Sequence, residues 1–475
     1  MRVLLVSHDF LPAYPAGTEI YTAQVGAALL KLGHEVELFT TERNISQRQA
    51  TVNQRRWDGI HVHELVNNRF YDAFQETWDW PPADRAFARV LDTFKPDVVH
   101  IMHLLYLSVG CAEEAHRRGI LIFFTLHDFW LQCPRATRLA ADSSLCHSID
   151  FDRCGRCLAD FPYAHGKHSR RALRFIADIR ESTGLDLGPL ARRTIGFLDA
   201  QRRPLSGPVE ANAHLHKVMA AAAATRTVDI KRRLVPLVEK FFVPSRFLCE
   251  RFVEWGLVPE RIEHLTYGID LRPYSGFRRE PSDTIRVAFL GTVAPNKGPH
   301  LLLEAWTRIP EGLRQKARLT LYGPLDYFPE YVAELKRAAT SVGASLPGIV
   351  APDLVPQVYR EVDLLVVPSV WFENSPLVIL QAIATRTPLL VSDIGGMTEL
   401  VHPGRHGWRF RAGDPEDLAR KLESVLVDPS LLERLDWPEN AVKNIDTHAA
   451  ELAERYRSTL SSRPRTTMSP SVMSG

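Results

Sequence analysis

One short stretch combines a carboxylate with a predicted helix start, and it is the part of this sequence best equipped for chemistry. It contains Glu373, Asn374, Ser375, Pro376 and Leu377. An apolar run over residues 362–369 predicts a buried parallel strand before it, and a helical apolar pattern follows over residues 377–384. Ligands bind at this edge of an α/β sheet, and free N–H groups at a helix start suit a phosphate. Glu373 is poorly placed for a phosphate but well placed for sugar hydroxyls, so we expect a nucleotide-sugar site.

A lysine on a glycine-bounded loop is the second chemical candidate. Gly291 and Gly298 allow tight turns after a predicted strand, and Lys297 can reach a phosphate as a mobile point charge. An ordinary loop explains this pattern equally well on its own. The prediction that Lys297 binds a phosphate is supported by Glu373, which we expect on the same sheet edge. A third corner at residues 392–399 carries paired glycines and predicts either close approach to a ligand or tight helix–strand packing.

The elements around these corners predict two similar α/β halves. In the first half, a strand at residues 2–7, a helix at 19–32 and a strand at 34–41 begin a doubly wound sheet. The loop before the helix lacks the Gly-x-Gly-x-x-Gly pattern, which argues against a dinucleotide cofactor. Gly17 in that loop lets a ligand approach the backbone, and His127 follows a predicted strand at the same edge.

The alternation of strands and helices restarts after residues 271–283, a linker rich in proline, arginine and glycine. We therefore predict an N-terminal domain over residues 1–275 and a C-terminal nucleotide-sugar domain over residues 276–440. A final helix at residues 441–461 is expected to pack back on the N-terminal domain, and a disordered tail is expected at residues 462–475.

A basic helical insertion is predicted within the N-terminal domain at about residues 165–235. Residues 165–203 hold nine lysines and arginines against four acidic residues. A solvated insertion is the plainer interpretation. The alternative is a surface that meets anionic lipid or a phosphorylated acceptor, which would bring the protein to the membrane as a peripheral partner.

Four of the six cysteines lie together in an excursion at about residues 131–160. They are Cys133, Cys146, Cys154 and Cys157, and the Cys-x2-Cys pair is a common half of a metal site. In a large cytosolic chain, such a cluster suggests a metal rather than disulfides. Structural zinc, unmetallated thiols and an iron–sulfur cluster are the three open alternatives. Four thiolates would close the coordination sphere, which argues against catalysis by the metal.

Composition excludes several classes of function. A chain of 475 residues is expected to form two or more domains. The formal net charge of +2, without a long basic run, argues against a nucleic-acid partner. No apolar run reaches the roughly 18 to 20 residues of a membrane span, and the apolar start is better explained as a strand than as a signal peptide. We therefore expect a cytoplasmic protein, with the inner face of the membrane as an alternative location.

Several motifs of this chain occur in the order of a known family. The second half contains FLGTVAPNKG, WFENSPLVILQAIA, PLLVSDIGGMTELV and GRHGWRF, and the first half contains PAGTEIYTAQVGAALLKLGHEVELFT, TLHDFWLQCP, FFVPSRF and YGID. On these motifs, the chain resembles glycosyltransferase family 4, the retaining GT-B enzymes of the glycogen-synthase-like superfamily. The resemblance covers most of residues 1–428. It implies an α/β protein of two Rossmann-like domains facing across a cleft, with the Cys-rich excursion and the helical insertion in the N-terminal one.

The resemblance also implies roles for individual residues. Glu373 would bind donor-sugar hydroxyls, Lys297 would neutralise the leaving diphosphate, and His127 would lie near the reacting carbon of the donor sugar. Gly17 would let the N-terminal loop close on the donor. The other implied donor contacts, which include main-chain contacts to the base at 349–350, are Gly291, Thr292, Ile349, Val350, Asn374, Ser375, Pro376, Leu377 and Gln381.

Three positions depart from the family's pattern. Gln381 replaces the second glutamate of Glu-x7-Glu, Thr292 replaces the usual arginine, and Ala16 replaces the first of two glycines. A neutral amide oxygen accepts hydrogen bonds from ribose hydroxyls more weakly than a carboxylate does. With Thr292 in place of arginine, Lys297 would carry most of the cationic role.

The expected reaction is the retaining transfer of a hexose from a nucleoside-diphosphate sugar to a glycan or lipid-linked glycan, as in polysaccharide biosynthesis. Positive charge develops on the sugar and negative charge on the departing diphosphate. No Asp-x-Asp motif is placed to hold a catalytic metal, so no cofactor is expected for catalysis. A GT-B nucleotide-sugar epimerase and a non-catalytic nucleotide-sugar-binding protein are the alternatives.

Overall fold

Two parallel sheets, one in each half of the chain, organise the protein. The computed structural model describes residues 1–161, 163, 167–185, 209–439 and 441–462. Much of the predicted basic insertion, at 186–208, and the predicted tail beyond residue 462 therefore lie outside the described residues. Among the described helices, none is both long and apolar enough to cross a membrane.

The N-terminal sheet has eight strands in the order β3-β4-β2-β1-β5-β6-β7-β8. Neighbouring strands run parallel except β3 and β4, which form an antiparallel hairpin. The central strands β1, β5 and β6 are mostly apolar because helices cover both faces of the sheet. The strands are β1 Arg2–Val6, β2 Glu35–Glu42, β3 Val52–Trp57, β4 Ile60–Val66, β5 Val98–Ile101, β6 Leu121–Thr125, β7 Lys240–Val243 and β8 Ile262–His264.

The helices of this half lie between those strands and in two added segments. The added segments, after β6, comprise the cysteine excursion with α4 and the described part of the insertion with α5 and α6. The helices are α1 Gly17–Lys31, α2 Pro81–Phe94, α3 Gly110–Arg117, α4 Phe151–Ala159, α5 Lys167–Thr183, α6 Val209–Asp229 and α7 Arg246–Trp255.

The C-terminal sheet has six parallel strands in the order β12-β11-β10-β13-β14-β15. A separate two-stranded ladder joins β9 Gly268–Ile269 to β16 Lys443–Asn444. The six strands are β10 Ile285–Leu290, β11 Ala317–Tyr322, β12 Ser345–Gly348, β13 Leu364–Val367, β14 Leu389–Ser392 and β15 Gly407–Phe410. The helices are α8 Pro299–Arg308, α9 Glu311–Arg314, α10 Pro329–Ser341, α11 Val355–Arg360, α12 Leu377–Ala384, α13 Met397–Leu400, α14 Pro415–Val427 and α15 Ile445–Ser462.

The last helix, α15, returns to the N-terminal half and packs against α1. Tyr21 Oη lies 2.6 Å from His448 Nε2, and His100 Nδ1 lies 2.5 Å from Tyr456 Oη. The Tyr456 ring also packs on Phe123 of β6, with ring centroids 4.9 Å apart. The chain therefore crosses from the N-terminal sheet to the C-terminal sheet and back.

Candidate active site

Glu373 lies between the end of β13 and the start of α12, at the carboxyl edge of the C-terminal sheet. The residue is only 5% exposed. Its Oε1 atom accepts hydrogen bonds from Lys297 Nζ, Ser369 Oγ and Trp371 Nε1, each at 2.7 Å. These donors offset the cost of burying a charge. Within the described chain no donor is bound to Oε2, which leaves this oxygen for the hydroxyl groups of a ligand.

Lys297 ends a short 3₁₀ turn, Pro295–Lys297, which packs against the end of β13. A Cβ atom on the next residue, Gly298, would lie 2.0 Å from Pro368 O, and Gly298 has a φ of +70°. Only glycine allows both the turn and this close approach. The ammonium group of Lys297 also lies 4.8 Å from the centroid of the Trp371 ring. The lysine and the glutamate that the sequence places on one sheet edge are thus in direct contact.

The paired glycines of the third corner pack against the backbone of the Glu373 segment. A Cβ atom at Gly395 would lie 2.5 Å from Glu373 O, and one at Gly396 would lie 1.8 Å from Asn374 O. Gly396 N donates a hydrogen bond to Glu373 O at 2.8 Å. Of the two interpretations that the sequence left open, tight packing is the one that these contacts support.

Asn374 joins the two halves of the chain through its side chain. Its Nδ2 donates to Leu126 O and His127 O, both at 3.1 Å, and its Oδ1 accepts from Ser245 Oγ at 2.5 Å. Leu126, His127 and Ser245 all belong to the N-terminal half, at the carboxyl ends of β6 and β7. The residue beside Glu373 therefore fixes the segment that carries His127.

Glu399, three residues after the paired glycines, also reaches across to the N-terminal half. Its two carboxylate oxygens accept hydrogen bonds from Arg246 N at 2.8 Å and Phe247 N at 2.6 Å. These are free N–H groups in the first turn of α7, where a negative charge is favourable. Glu399 thus caps a helix of one half from the other half.

His127 is half-buried beside the donor corner. Its Nδ1 atom is hydrogen-bonded to the Tyr267 hydroxyl, and its ring packs edge-on against Tyr21 with centroids 5.2 Å apart. Among the described residues, no partner is bound to its buried Nε2 atom. Burial, and then the nearby His103, lower the pKa of His127 to about 3. The imidazole is therefore neutral near pH 7 and has one nitrogen left to contact a ligand.

A cluster of four more polar residues lies beside His127, and it was not predicted as a site from the sequence. His8 Nε2 lies 3.3 Å from Glu19 Oε1, and His103 Nε2 lies 3.1 Å from Asp128 Oδ2. The His8 and His103 rings pack with centroids 4.3 Å apart. Burial raises the pKa of Glu19 to about 8, and its Oε2 atom has no partner among the described residues. The signal that identified His127, a polar residue directly after an apolar strand, applies equally to His8.

The remaining predicted donor contacts are dispersed around the edge of the C-terminal half. Ile349, just after β12, is 60% exposed and offers an apolar surface. Gln381 is on the second turn of α12, where its Oε1 lies 3.5 Å from Tyr359 Oη. Thr292 and Val350 are partly exposed loop residues at the ends of β10 and β12. At Gly17, a Cβ atom would meet nothing within 4 Å, so protein contacts do not require glycine there.

Two family models match the chain, one in each half. The model described as Glycosyltransferase Family 4 matches residues 15–181, and the model described as Glycosyl transferases group 1 matches residues 274–443. Together they include most of the residues discussed above.

Curated relatives are about 30% identical to this chain over the part of its length that they match. A D-inositol 3-phosphate glycosyltransferase of Rhodococcus erythropolis is 32% identical over 222 residues, which is 43% of this chain and 50% of that protein. The protein of the same name from Nocardia farcinica is 30% identical over 271 residues, 51% of this chain and 59% of that protein. The matched part of the chain thus spans about half the length of these relatives.

Solved structures with the same fold extend over nearly the whole chain. Anabaena HepE in complex with UDP and glucose has a TM-score of 0.62 at 16% identity and covers 96% of this chain and 100% of that one. The sucrose-phosphate synthase of Thermosynechococcus elongatus has a TM-score of 0.61 at 17% identity, covering 97% and 100%. At such identities the likeness concerns the fold alone.

Proposed function

This chain belongs to glycosyltransferase family 4 and has the GT-B fold, and we propose that it is a retaining enzyme that moves a sugar from a nucleoside-diphosphate sugar to a glycan or lipid-linked glycan. The contact between Lys297 and Glu373 is the observation that carries the proposal. It places a cation and a carboxylate side by side at a sheet edge, beside the start of α12 and next to the segment of His127.

The donor would be held by its two chemically different parts. Lys297 and the free N–H groups in the first turn of α12 suit the diphosphate, because both offer positive charge to a phosphate oxygen. The free Oε2 atom of Glu373 suits the hydroxyl groups of the sugar. Lys297 would then give up part of its contact with Glu373 and bind the diphosphate instead. Its positive charge would be balanced by the phosphates, and Glu373 would keep the hydrogen bonds from Ser369 and Trp371.

The reaction would proceed on the face of the sugar where the diphosphate departs. A hydroxyl oxygen of the acceptor bonds to the anomeric carbon as the bond from that carbon to the phosphate oxygen breaks. The proton of the hydroxyl passes to the departing phosphate oxygen, so the configuration is retained. Lys297 stabilises the charge on the leaving group. His127, which is neutral, supplies a hydrogen bond to the donor sugar rather than a proton.

The N-terminal side of the cleft favours an acceptor with an anionic group. Arg43 and Arg69 follow β2 and β4, and their guanidinium carbons lie 5.6 Å and 4.0 Å from the Tyr106 ring centroid. Arg43 lies 3.9 Å from Asp9, and Tyr327 of the C-terminal half is within electrostatic range of Arg43. The matched relatives are named for D-inositol 3-phosphate, and lipid-linked glycans carry phosphate as well, so both acceptor classes suit these two cations.

A lipid-linked acceptor would bring the protein to the cytoplasmic face of the membrane. We propose that the basic insertion makes that contact. The helix α5 supports this arrangement because Phe175 is 65% exposed, next to the cationic Arg174. An exposed apolar side chain next to a basic residue is a common membrane-surface pattern.

Turnover of substituted proteins tests the proposed function. Donor consumption is measured by product chromatography with a panel of UDP-, GDP- and ADP-sugars, with and without acceptor glycans. We expect Glu373→Ala and Lys297→Ala each to lower turnover by at least ~100-fold, because each removes a charge that acts on the donor. Lys336→Ala, at an exposed position on α10, is the matched control and keeps the wild-type rate.

Two results would contradict the proposal in different ways. Near-normal rates in either cleft variant would disprove the site assignment. Formation of an isomerised nucleotide sugar without acceptor would instead identify an epimerase.

A further inference from the structure

The four cysteines of the excursion come together in space, although 24 residues separate the first from the last. Cys154 and Cys157 lie three residues apart on α4, and the other two precede that helix on the excursion loop. Cys133, Cys146 and Cys157 are all within electrostatic range of the Cys154 sulfur. None of the four forms a disulfide, and each is partly buried.

Hydrogen-bond donors point at two of these sulfur atoms. Arg135 Nη1 donates to Cys157 Sγ at 3.2 Å. The backbone N–H groups of Arg135 and Arg138 lie near the sulfur of Cys133. Such N–H donors stabilise sulfur in its negatively charged form, and they surround the ligands of many metal sites.

Two buried arginines next to the cysteines provide a second, independent observation. Arg138 is 5% exposed and Arg226 is 1% exposed. Arg226 donates to Trp130 O at 2.6 Å and stacks over the Trp130 ring at 4.6 Å, while Arg138 donates to Gln132 Oε1 at 3.2 Å. Neither has a carboxylate at ion-pair distance within the part of the chain that the structure describes. A buried guanidinium group is costly without an anion nearby, and the thiolates of Cys133 and Cys146 act on these two arginines more strongly than the carboxylates of Asp128 and Glu254 do.

We propose that Cys133, Cys146, Cys154 and Cys157 bind a metal centre as four thiolates, and that Arg138 and Arg226 balance its negative charge. A tetrathiolate zinc ion and an iron–sulfur cluster share this donor chemistry.

The spacing of the sulfur atoms bears on the choice between the two. Among the described residues, one group of three potential ligand atoms lies within 4.8 Å of one another, formed by Glu37, His61 and His63, and no three of the cysteine sulfurs lie as close together as that. Sulfur atoms around one tetrahedral zinc are about 3.8 Å apart. A single zinc ion would therefore have to draw the sulfurs together, whereas a polynuclear cluster accommodates a wider set.

The excursion also contacts the candidate donor site, so the metal centre would support it. The ring of His147, next to Cys146, lies edge-on to Phe372 with centroids 5.6 Å apart. Phe372 directly precedes Glu373 and also packs on Phe129 and Phe247. A cavity of about 640 Å³ separates Ser143 and Ser144 of the excursion from Pro295 and Val370 beside the donor corner. The inference that the metal centre supports the donor site rests on the proposed function, whereas the inference that the four cysteines bind a metal does not.

Metal analysis of the purified full-length protein tests the proposal directly. Protein expressed with both zinc and iron, and purified without chelators, is analysed by inductively coupled plasma mass spectrometry. We expect about one zinc or about two to four irons per chain. The double variant Cys154→Ser/Cys157→Ser should lose at least 10-fold of that metal. Cys249→Ser removes a half-buried cysteine outside the cluster and should keep all of it.

A second measurement needs no cluster variant. Titration of the wild-type protein with a mercurial reagent should release the metal as four thiols react, and the Cys249→Ser protein should behave in the same way. Arg135→Ala should weaken metal affinity by roughly 10-fold, because it removes the donor to Cys157. Less than about a tenth of an equivalent of zinc and iron together in the wild-type protein, or metal that stays bound after those thiols react, would overturn the proposal.

If the metal is present but donor consumption is absent, the proposed function fails and the metal centre stands. If donor consumption is normal and the metal is absent, the metal centre fails alone. In the metal-bound protein, removal of the metal should weaken donor binding several-fold through Phe372.

Discussion

Glu373 shows which part of the site a sequence can reveal. A carboxylate at the end of an apolar strand, before an apolar helix, identifies the position. The three groups that donate hydrogen bonds to its Oε1 atom can be predicted only in part from the sequence, because Lys297 is 76 residues away in the chain. The role of Asn374 could not be predicted from its surroundings in the sequence. Its partners Leu126 and His127 are more than 240 residues away, and its contact is made by the side chain rather than by the backbone.

Gly396 offers a test of the packing beneath the donor corner. Gly396→Ala would place a Cβ atom 1.8 Å from Asn374 O, a backbone atom that cannot move without displacing Glu373. We expect a loss of at least ~1 kcal/mol of unfolding free energy, seen as a lower urea midpoint, together with weaker donor binding.

Gly312→Ala is the matched control for that substitution. Gly312 is exposed on the short helix α9, and a Cβ atom there would meet nothing within 4 Å. It should be neutral or stabilise the protein by up to about 1 kcal/mol, since alanine favours helices. Equal effects of the two substitutions would show that Gly396 is not constrained by Asn374.

At the scale of elements, most buried strands were predictable, whereas β3, β12 and β15 were not. β1, β6, β10 and β13 are mostly apolar runs because helices cover both faces of each sheet. β3 is an antiparallel edge strand with the sequence VNQRRW, which lacks an apolar run. Its only local signal is the Asp58–Gly59 pair, where both residues have positive φ and form the tight turn to β4.

The helix α15 depends on buried histidines that must stay neutral. Burial lowers the pKa of His448 and of His100 to about 3. Because these folded-state values lie below the ordinary value of 6.5, the stabilisation is complete above pH 6.5 and is lost as the pH falls toward 3. Each buried histidine should cost about 1.4 kcal/mol of unfolding free energy per pH unit below 6.5.

Urea unfolding at pH 7.5, 6.0 and 5.0 measures this dependence. His448→Gln should lower the slope of unfolding free energy against pH by about the contribution of one histidine. The glutamine side chain should preserve the contact with Tyr21. His264→Gln, at an exposed position, should leave the slope unchanged. A wild-type stability that stays constant from pH 7.5 to 5.0 would show that the packing of α15 does not hold His448 and His100 neutral.

At the scale of the whole molecule, two sheets meet through a small number of specific contacts. Asn374 and Glu399 bind the N-terminal half by hydrogen bonds, Phe372 packs on Phe129 and Phe247, and α15 crosses back to α1. The repeated α/β pattern predicts the two halves, and the family resemblance predicts that they face each other. The polar cluster of His8 and Glu19 escaped prediction because its members meet only when the first loop folds over the sheet edge.

The central claim is that Lys297 holds the diphosphate of the donor while Glu373 holds its sugar. Isothermal titration of a nucleoside diphosphate and of the matching nucleotide sugar, into wild-type, Lys297→Ala and Glu373→Ala proteins, tests it most directly. Lys297→Ala should weaken both ligands by roughly 10-fold or more, because it removes a charge-assisted contact to the phosphates. Glu373→Ala should bind the diphosphate as the wild-type does and lose only the extra affinity due to the sugar. Unchanged binding of both ligands by both variants would contradict the account.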